Sequence, residues 1–209
     1  MNVYVETNFV LELALRQEQW ESCQEILELS RDGHCRLTIP ALALAEPYGA
    51  ILRKKKVRDR LGRELRDHLS DIARSEPSRH LKNTFQSLSD GLHATALFEE
   101  SNLYSVSRDL LSSAVVLPLT QEILDLGLDY RSAFNLAAED AIMLATVTSH
   151  AREVRTRGIF VNRNTKDFDN PDIASVLGSH DCLFVSSFEA GVGMIRQNPE
   201  MGDPKVSGQ

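Results

Sequence analysis

Apolar and polar positions along this chain alternate between two periods. Short apolar runs rich in β-branched and aromatic residues fall at 2–5 (Asn-Val-Tyr-Val), 36–39, 114–117, 158–161 and 182–185 and predict buried strands, although the period of 114–117 by itself also fits a helix. The segments between them carry apolar residues at helical spacing. Asn8 or Thr7 is placed to cap a helix over about 9–17, and Trp20, Cys23, Ile26 and Leu27 line one face of a helix over 18–31 that stops at Asp32-Gly33. Pro40 suits the start of the next helix, which carries Leu42, Glu46, Tyr48, Ile51 and Leu52. Within it Pro47 removes a backbone donor and is expected to kink the helix.

From 57 to about 112 the chain reads as helical. Val57, Leu61, Leu65, Leu69 and Ile72 form a stripe expected to be buried, Glu76-Pro77-Ser78 interrupts, and a second stretch carries Leu81, Phe85, Leu88, Leu92, Leu97 and Phe98. A third helix is expected from Leu103 to Leu111. Thr120 is a good N-cap for a helix to about Ser132, and Asn135 is expected to cap the one bearing Asp140. Strands alternating with helices, the strands apolar throughout, predict an α/β fold with a parallel sheet covered on both faces. The expected organisation is a single domain over 1–196 with a helical insertion at about 56–113, then a flexible tail over 197–209.

Composition narrows the function classes. With 42% hydrophobic and 25% charged residues the chain is ordinary globular protein, and no run approaches the ~18–20 apolar residues of a membrane span. The first residues lack a basic region followed by an apolar core, so a cytoplasmic location and no membrane association are expected. Cys23, Cys35 and Cys182 are widely spaced and odd in number, which suits apolar filler rather than a disulfide or zinc framework. The net charge is −7, yet eight basic residues against two acids between Arg53 and Arg66 make that stretch +6 and leave −13 on the remainder. A basic strip suits a phosphate backbone, and it also suits a solvated helix face. Phosphate-loop, nucleophile-elbow and His-Glu-x-x-His patterns are absent, and Gly191-Val192-Gly193 lacks the third glycine of a dinucleotide turn.

Four carboxylates stand out because each sits at the edge of an apolar run. They are Glu6 in Val-Tyr-Val-Glu-Thr-Asn-Phe, Glu46 in Ala-Leu-Ala-Glu-Pro, Asp140 in Glu-Asp-Ala-Ile-Met-Leu-Ala-Thr and Asp167 in Val-Asn-Arg-Asn-Thr-Lys-Asp-Phe. Taken singly, each has a structural role open to it: Glu6 as a helix cap, Asp140 at the positive end of its helix, Asp167 in a turn, Glu46 paired with Arg53. Gathered together they form a buried acidic cluster, which is tolerable only with a neutralising cation. In parallel sheets ligands collect at the carboxyl ends of strands, where Glu6 and Asp167 both belong.

In order along the chain, Glu6-Thr7-Asn8, Ala-Leu-Ala-Glu46, Asp140-Ala141 and the segment from Val161 to Phe168 resemble the motifs of PIN-domain ribonucleases, the family that includes bacterial VapC toxins. The resemblance implies a three-layer α/β/α fold and a carboxylate tetrad of Glu6, Glu46, Asp140 and Asp167, catalytic and metal-holding at once. It implies Mg²⁺ or Mn²⁺ as cofactor and cleavage of RNA. It extends to a toxin of a toxin–antitoxin pair, with a protein antitoxin and a homodimer as further expected partners. Asn8 and Asn164 are expected to orient ligands or water, and Thr7 to act as a helix cap. Two departures set an alternative beside this. Glu6 stands where the family usually has Asp, one methylene longer against the octahedral demand of Mg²⁺ at about 2.0–2.1 Å, and the 56–113 segment is longer than a compact VapC toxin provides. The alternative is a catalytically weak or inactive PIN-like RNA- or protein-binding module.

Overall fold

The computed structural model describes residues 1–72, 74–76 and 81–198. Five parallel strands form one sheet: β1 (Asn2–Val5), β2 (Arg36–Pro40), β3 (Val115–Leu117), β4 (Gly158–Val161) and β5 (Cys182–Val185). Their spatial order is β3-β2-β1-β4-β5, so β1 lies in the middle, with Val3 in register with Leu37 on one side and Ile159 on the other. Period-two alternation sends Val3, Val5, Ile159 and Val161 to one face and Tyr4 and Phe160 to the other. The first face is covered by α1 (Thr7–Leu15), α2 (Trp20–Arg31) and α9 (Phe188–Gln197). The second is covered by α6 (Ala138–Val154), α7 (Thr165–Phe168) and α8 (Pro171–Gly178), with α5 (Gln121–Phe134) packed on α6. This is a three-layer α/β/α sandwich with an apolar cluster on each side of the sheet.

The two long helices depart from the sequence expectations. α3 (Ala41–Ile72) continues through Pro47, which removes one interior hydrogen bond without ending the helix, and Pro40 ends β2 rather than starting the helix. α4 (Leu81–Ser113) is one helix where two were expected, and the Pro77-Ser78 part of the break lies outside the described residues. The stripe expected to be buried is only partly covered: Leu65 and Leu69 are half-buried, while Val57, Leu61 and Ile72 are exposed. The reason is geometric. The sheet-proximal ends of α3 and α4 meet the core, through Ile51, Leu103 and Leu110, while among the described residues their far halves pack on each other. Ion pairs join them there, Arg58 to Glu99 through two hydrogen bonds of 2.6 and 2.9 Å and Lys55 to Glu100 at 3.0 Å. The side chains of Leu81 and Phe85, and the tail from 199, lie outside the described residues.

Several caps differ from expectation as well. Glu6, not Thr7 or Asn8, is the N-cap of α1, because its side chain accepts from the Asn8 N–H at 3.1 Å. Asn135 does not cap α6. It closes α5 in the left-handed conformation, with φ of 54°, and Ala137 precedes α6 with no side-chain cap. Asn tolerates that conformation better than most residues, so the same side chain suits either end of a helix. Thr120 caps α5 as expected. All three cysteines are buried, and burial pushes the Cys35 thiol up to about 11.

Gly158 marks the tightest spot in the central sheet. A Cβ there would meet Tyr4 Cε2 at 2.9 Å. Tyr4 cannot withdraw freely, since it is fully buried and its hydroxyl shares a 2.9 Å hydrogen bond with His150. Gly158→Ala is therefore expected to destabilise the fold by about 1–3 kcal/mol, read as a drop in thermal midpoint of about 2–4 °C per kcal/mol. An unchanged midpoint would show that the β1–β4 contact yields more easily than its geometry suggests.

Candidate metal centre

The carboxyl edge of the sheet collects the four carboxylates from four different elements. Glu6 follows β1 directly, Glu46 lies in the second turn of α3 just beyond β2, Asp140 is in the first turn of α6, and Asp167 sits on the single turn α7 after β4. Parallel strands force this outcome, because the chain leaves every strand at the same edge. Glu6 is 6% exposed, whereas Glu46, Asp140 and Asp167 are half-buried.

Electrostatics ties the four together. The Glu6 carboxyl is raised to about 7, first by burial and then by the charges of Glu46 and Asp140, with the Asn8 N–H pulling the other way. Asp140 is raised to about 6 by burial, then by Asp167 and Glu46, against a hydrogen bond from Asn164. Each of the four thus stands within reach of another's charge, and the pocket opposes its own ionisation.

Hydrogen bonds hold the acids apart in specific places. The Thr7 hydroxyl donates to Glu46 Oε2 at 2.5 Å, which gives Thr7 a tie to the acid instead of the expected capping role, and Glu46 is not paired with Arg53. Asn164 Nδ2 donates to Asp167 Oδ2 at 2.8 Å. Asn8 Nδ2 donates to Asn162 Oδ1 at 3.4 Å. Among the described residues no three His, Cys, Asp or Glu side chains stand close enough together to hold one ion as they are. The donor set nevertheless fits a hard divalent cation in kind, being all carboxylate oxygen with excess negative charge. Closing it round an ion requires side-chain rotation away from the present partners, the Asn8 N–H on Glu6 and the Thr7 hydroxyl on Glu46.

Two contributors to this edge are not singled out by the sequence patterns. Asn162 follows Val161, which is in register with Val5, so it stands across the strand boundary from Glu6. It is 1% exposed, its Oδ1 also accepts from the Asn164 N–H at 2.8 Å, and its Nδ2 has no partner. With two donors already on Oδ1, flipping the amide would face donors with donors, so its orientation is fixed. Arg163 next to it binds the buried Glu12 of α1 and, at 2.9 Å, Glu18. That pair ties the loop bearing Asn164 and Asp167 to α1. The available signal was a polar Asn-Arg-Asn directly after a buried strand.

The raised carboxyls make a linkage prediction for metal-free protein. Glu6 and Asp140 hold their protons in the folded state at pH values where the unfolded chain, near 4.5 and 3.8, has lost them. Their contribution to stability is therefore present below about pH 4 and is lost as pH rises through about 6 to 7. Glu6→Gln is expected to flatten the fall in thermal midpoint between pH 5 and 8 and to melt several degrees above the parent at pH 8, at about 2–4 °C per kcal/mol. A parent whose midpoint rises across that range in the presence of a chelator would contradict the charge repulsion inferred here.

No curated protein matches the chain. Among solved structures, VapBC2 from Rickettsia felis, bound to a DNA fragment from its promoter, is similar with a TM-score of 0.44 and 11% identity, covering 88% of this chain and 98% of that one. A family model described as a PIN domain matches residues 3–168, a span that runs from β1 to the end of α7 and takes in all four carboxylates. The chain belongs to the PIN-domain family.

Proposed function

We propose that this chain is a divalent-metal-dependent endoribonuclease that hydrolyses RNA phosphodiester bonds with Mg²⁺ or Mn²⁺ held by Glu6, Glu46, Asp140 and Asp167. The observation that supports this best is the suppressed ionisation of Glu6 and Asp140, caused by burial and by the other acids. Such a deficit of positive charge is what a cation would relieve. When bound, the ion supplies polarisation of a phosphoryl oxygen and hydroxide near neutral pH. The chain's own residues do the positioning. Asn164 steadies Asp167, Thr7 steadies Glu46, and the Arg163–Glu12 pair keeps the loop after β4 against α1. Glu6 is held by the Asn8 N–H at the start of α1, so its carboxylate shares the favourable end of a helix.

A second reading is favoured by one observation: the acids rest on protein donors and no three of them are gathered for an ion. In that reading the chain is a catalytically weak or inactive RNA- or protein-binding module that keeps the scaffold. Toxin–antitoxin pairing is the biological setting the sequence motifs suggest. An antitoxin-type protein, or a second copy of the chain, would have apolar surface to cover along α3 and α4, where Val57, Leu61, Leu97 and Phe98 are exposed.

The deciding experiment is Mn²⁺-dependent cleavage of mixed RNA by the parent and by Asp140→Asn. Cleavage is expected to fall by at least about a hundredfold in the variant, while its metal-free thermal midpoint stays level or rises. Cleavage by the pure variant at the parental rate would remove Asp140 from the site. A parent that binds RNA but cuts none with either metal would establish the binding module.

The basic stretch of α3 begins about 10 Å along the helix from Glu46 and ends about 30 Å away, at ~1.5 Å per residue. Lys55 and Arg58 are paired to α4, while Lys54 and Lys56, like Arg53, Arg63 and Arg66, are exposed with no ion pair among the described residues. Reversing Lys54 and Lys56 together is expected to weaken RNA binding and lower its salt slope by about 2. An unaltered affinity and slope would make this stretch a solvated face.

A further inference from the structure

A cleft of about 330 Å³ opens beside Asp167, between the turn joining α5 to α6 and the turn joining α7 to α8. Its size falls in the range of small-molecule sites, at the lower end of about 300–1,000 Å³. It shares Asp167 with the carboxylate set and so adjoins it. The lining combines two carboxylates, Asp167 and Asp169, with one ammonium, Lys166, and with the side-chain amides of Asn135 and Asn170 over Leu136. Two anions against one cation disfavour a phosphate here. A neutral group that donates to carboxylate and accepts from amide suits it.

The walls are set before any ligand arrives. Phe168, between the two acids, is 1% exposed, packs edge-on against Phe160 with ring centres 5.4 Å apart and stacks on Phe184 at 6.3 Å. The Asp169 N–H donates to Thr165 O at 3.0 Å and the Asn170 N–H to Phe168 O at 2.9 Å. Asn135 is fixed in the left-handed conformation that ends α5 and is exposed. Asn170 Oδ1 accepts from the Asp172 N–H at 2.8 Å, which leaves its Nδ2 hydrogens as the donors facing outward chemistry. Asp169 therefore offers only acceptors, and Asn170 offers donors.

We infer that this cleft is a nucleobase subsite flanking the carboxylates, selective for bases that carry an exocyclic amino group over uracil. The inference rests on the nuclease reading for its substrate class and deepens it. An amino group of cytosine or adenine donates to Asp169, as carboxylates accept from cytosine N4 elsewhere in nucleic-acid recognition. Ring acceptors of the same base meet the Asn170 and Asn135 amides. Uracil puts a carbonyl oxygen against the Asp169 carboxylate and loses that bond. Unstacked bases of single-stranded RNA are read at such edges.

The test has two arms that fail separately. In the first, a randomised single-stranded RNA pool is cut with Mn²⁺ and the ends are sequenced. In the second, metal-free protein is titrated with CMP and with UMP while the side-chain amide resonances of Asn135 and Asn170 are followed by NMR. Uracil is expected to be depleted about tenfold at one fixed position beside the cut, the worth of one hydrogen bond to a charged group. CMP is expected to shift those amides and UMP to leave them in place. Asp169→Asn, an exposed position where folding is little affected, is expected to restore uracil, since its amide donates to the uracil carbonyl. CMP-selective shifts without cleavage of any RNA would keep the subsite and reject the nuclease. Cleavage with no base bias and no selective shift would reject the subsite and keep the nuclease. Silence in both arms would reject both.

Discussion

A carboxylate buried at the end of the central strand is the constraint on which this molecule is built. β1 has neighbours on both edges and helices on both faces, so the residue that follows it has no path to bulk water except through the pocket above the sheet. Glu6 occupies that position. Its charge is costly there, and the structure offers it the backbone N–H groups of Asn8 and Thr7 before surrounding it with further acids. Apolar packing on both sides of the sheet must carry the stability that this edge gives away. The two clusters, one around Val3, Val5 and Phe9 and the other around Tyr4, Phe160 and Phe168, do so.

The elements around that edge differ in how firmly they are held. The loop after β4 is anchored twice, by Phe168 in an aromatic group with Phe160 and Phe184 and by Arg163 on Glu12. Side chains on it, Asn164 and Asp167, accordingly have fixed partners. Glu46 depends instead on a helix whose far half leaves the core. Beyond Ile51 the arm formed by α3 and α4 is joined by ion pairs, and several of its apolar residues, Val57, Leu61, Leu97 and Phe98, remain at the surface. The Lys55–Glu100 pair, open to solvent, contributes little, about 0–1 kcal/mol, while Arg58 holds the buried Glu99 through two hydrogen bonds. The arm is the part of the fold with least to hold it and most apolar surface left to cover.

Strand positions and the carboxyl edge could be read from the chain before any coordinates, since apolar β-branched runs in α/β proteins have few other uses. The register of those strands could not. Asn162 was visible only as a polar residue after an apolar run, and its place across from Glu6 depends on Val161 pairing with Val5. Thr7 looked like a cap because threonine at a helix start commonly is one. Its hydroxyl reaches Glu46 instead, 39 residues away in sequence, because Glu6 has already taken the capping position. Asn135 shows the same ambiguity, closing one helix where its chemistry also suits opening the next.

The sequence by itself determined where the strands lie and which edge of the sheet the acids follow, because these follow from local period and from the geometry of parallel sheets. Only the tertiary structure decided what each acid touches, that Val57 and Leu61 stay exposed, and that a cleft lies beside Asp167. The physical reason is range. Periodicity reports which face of an element is apolar, while burial depends on whether another element arrives to cover it. For the outer halves of α3 and α4 no third element among the described residues does.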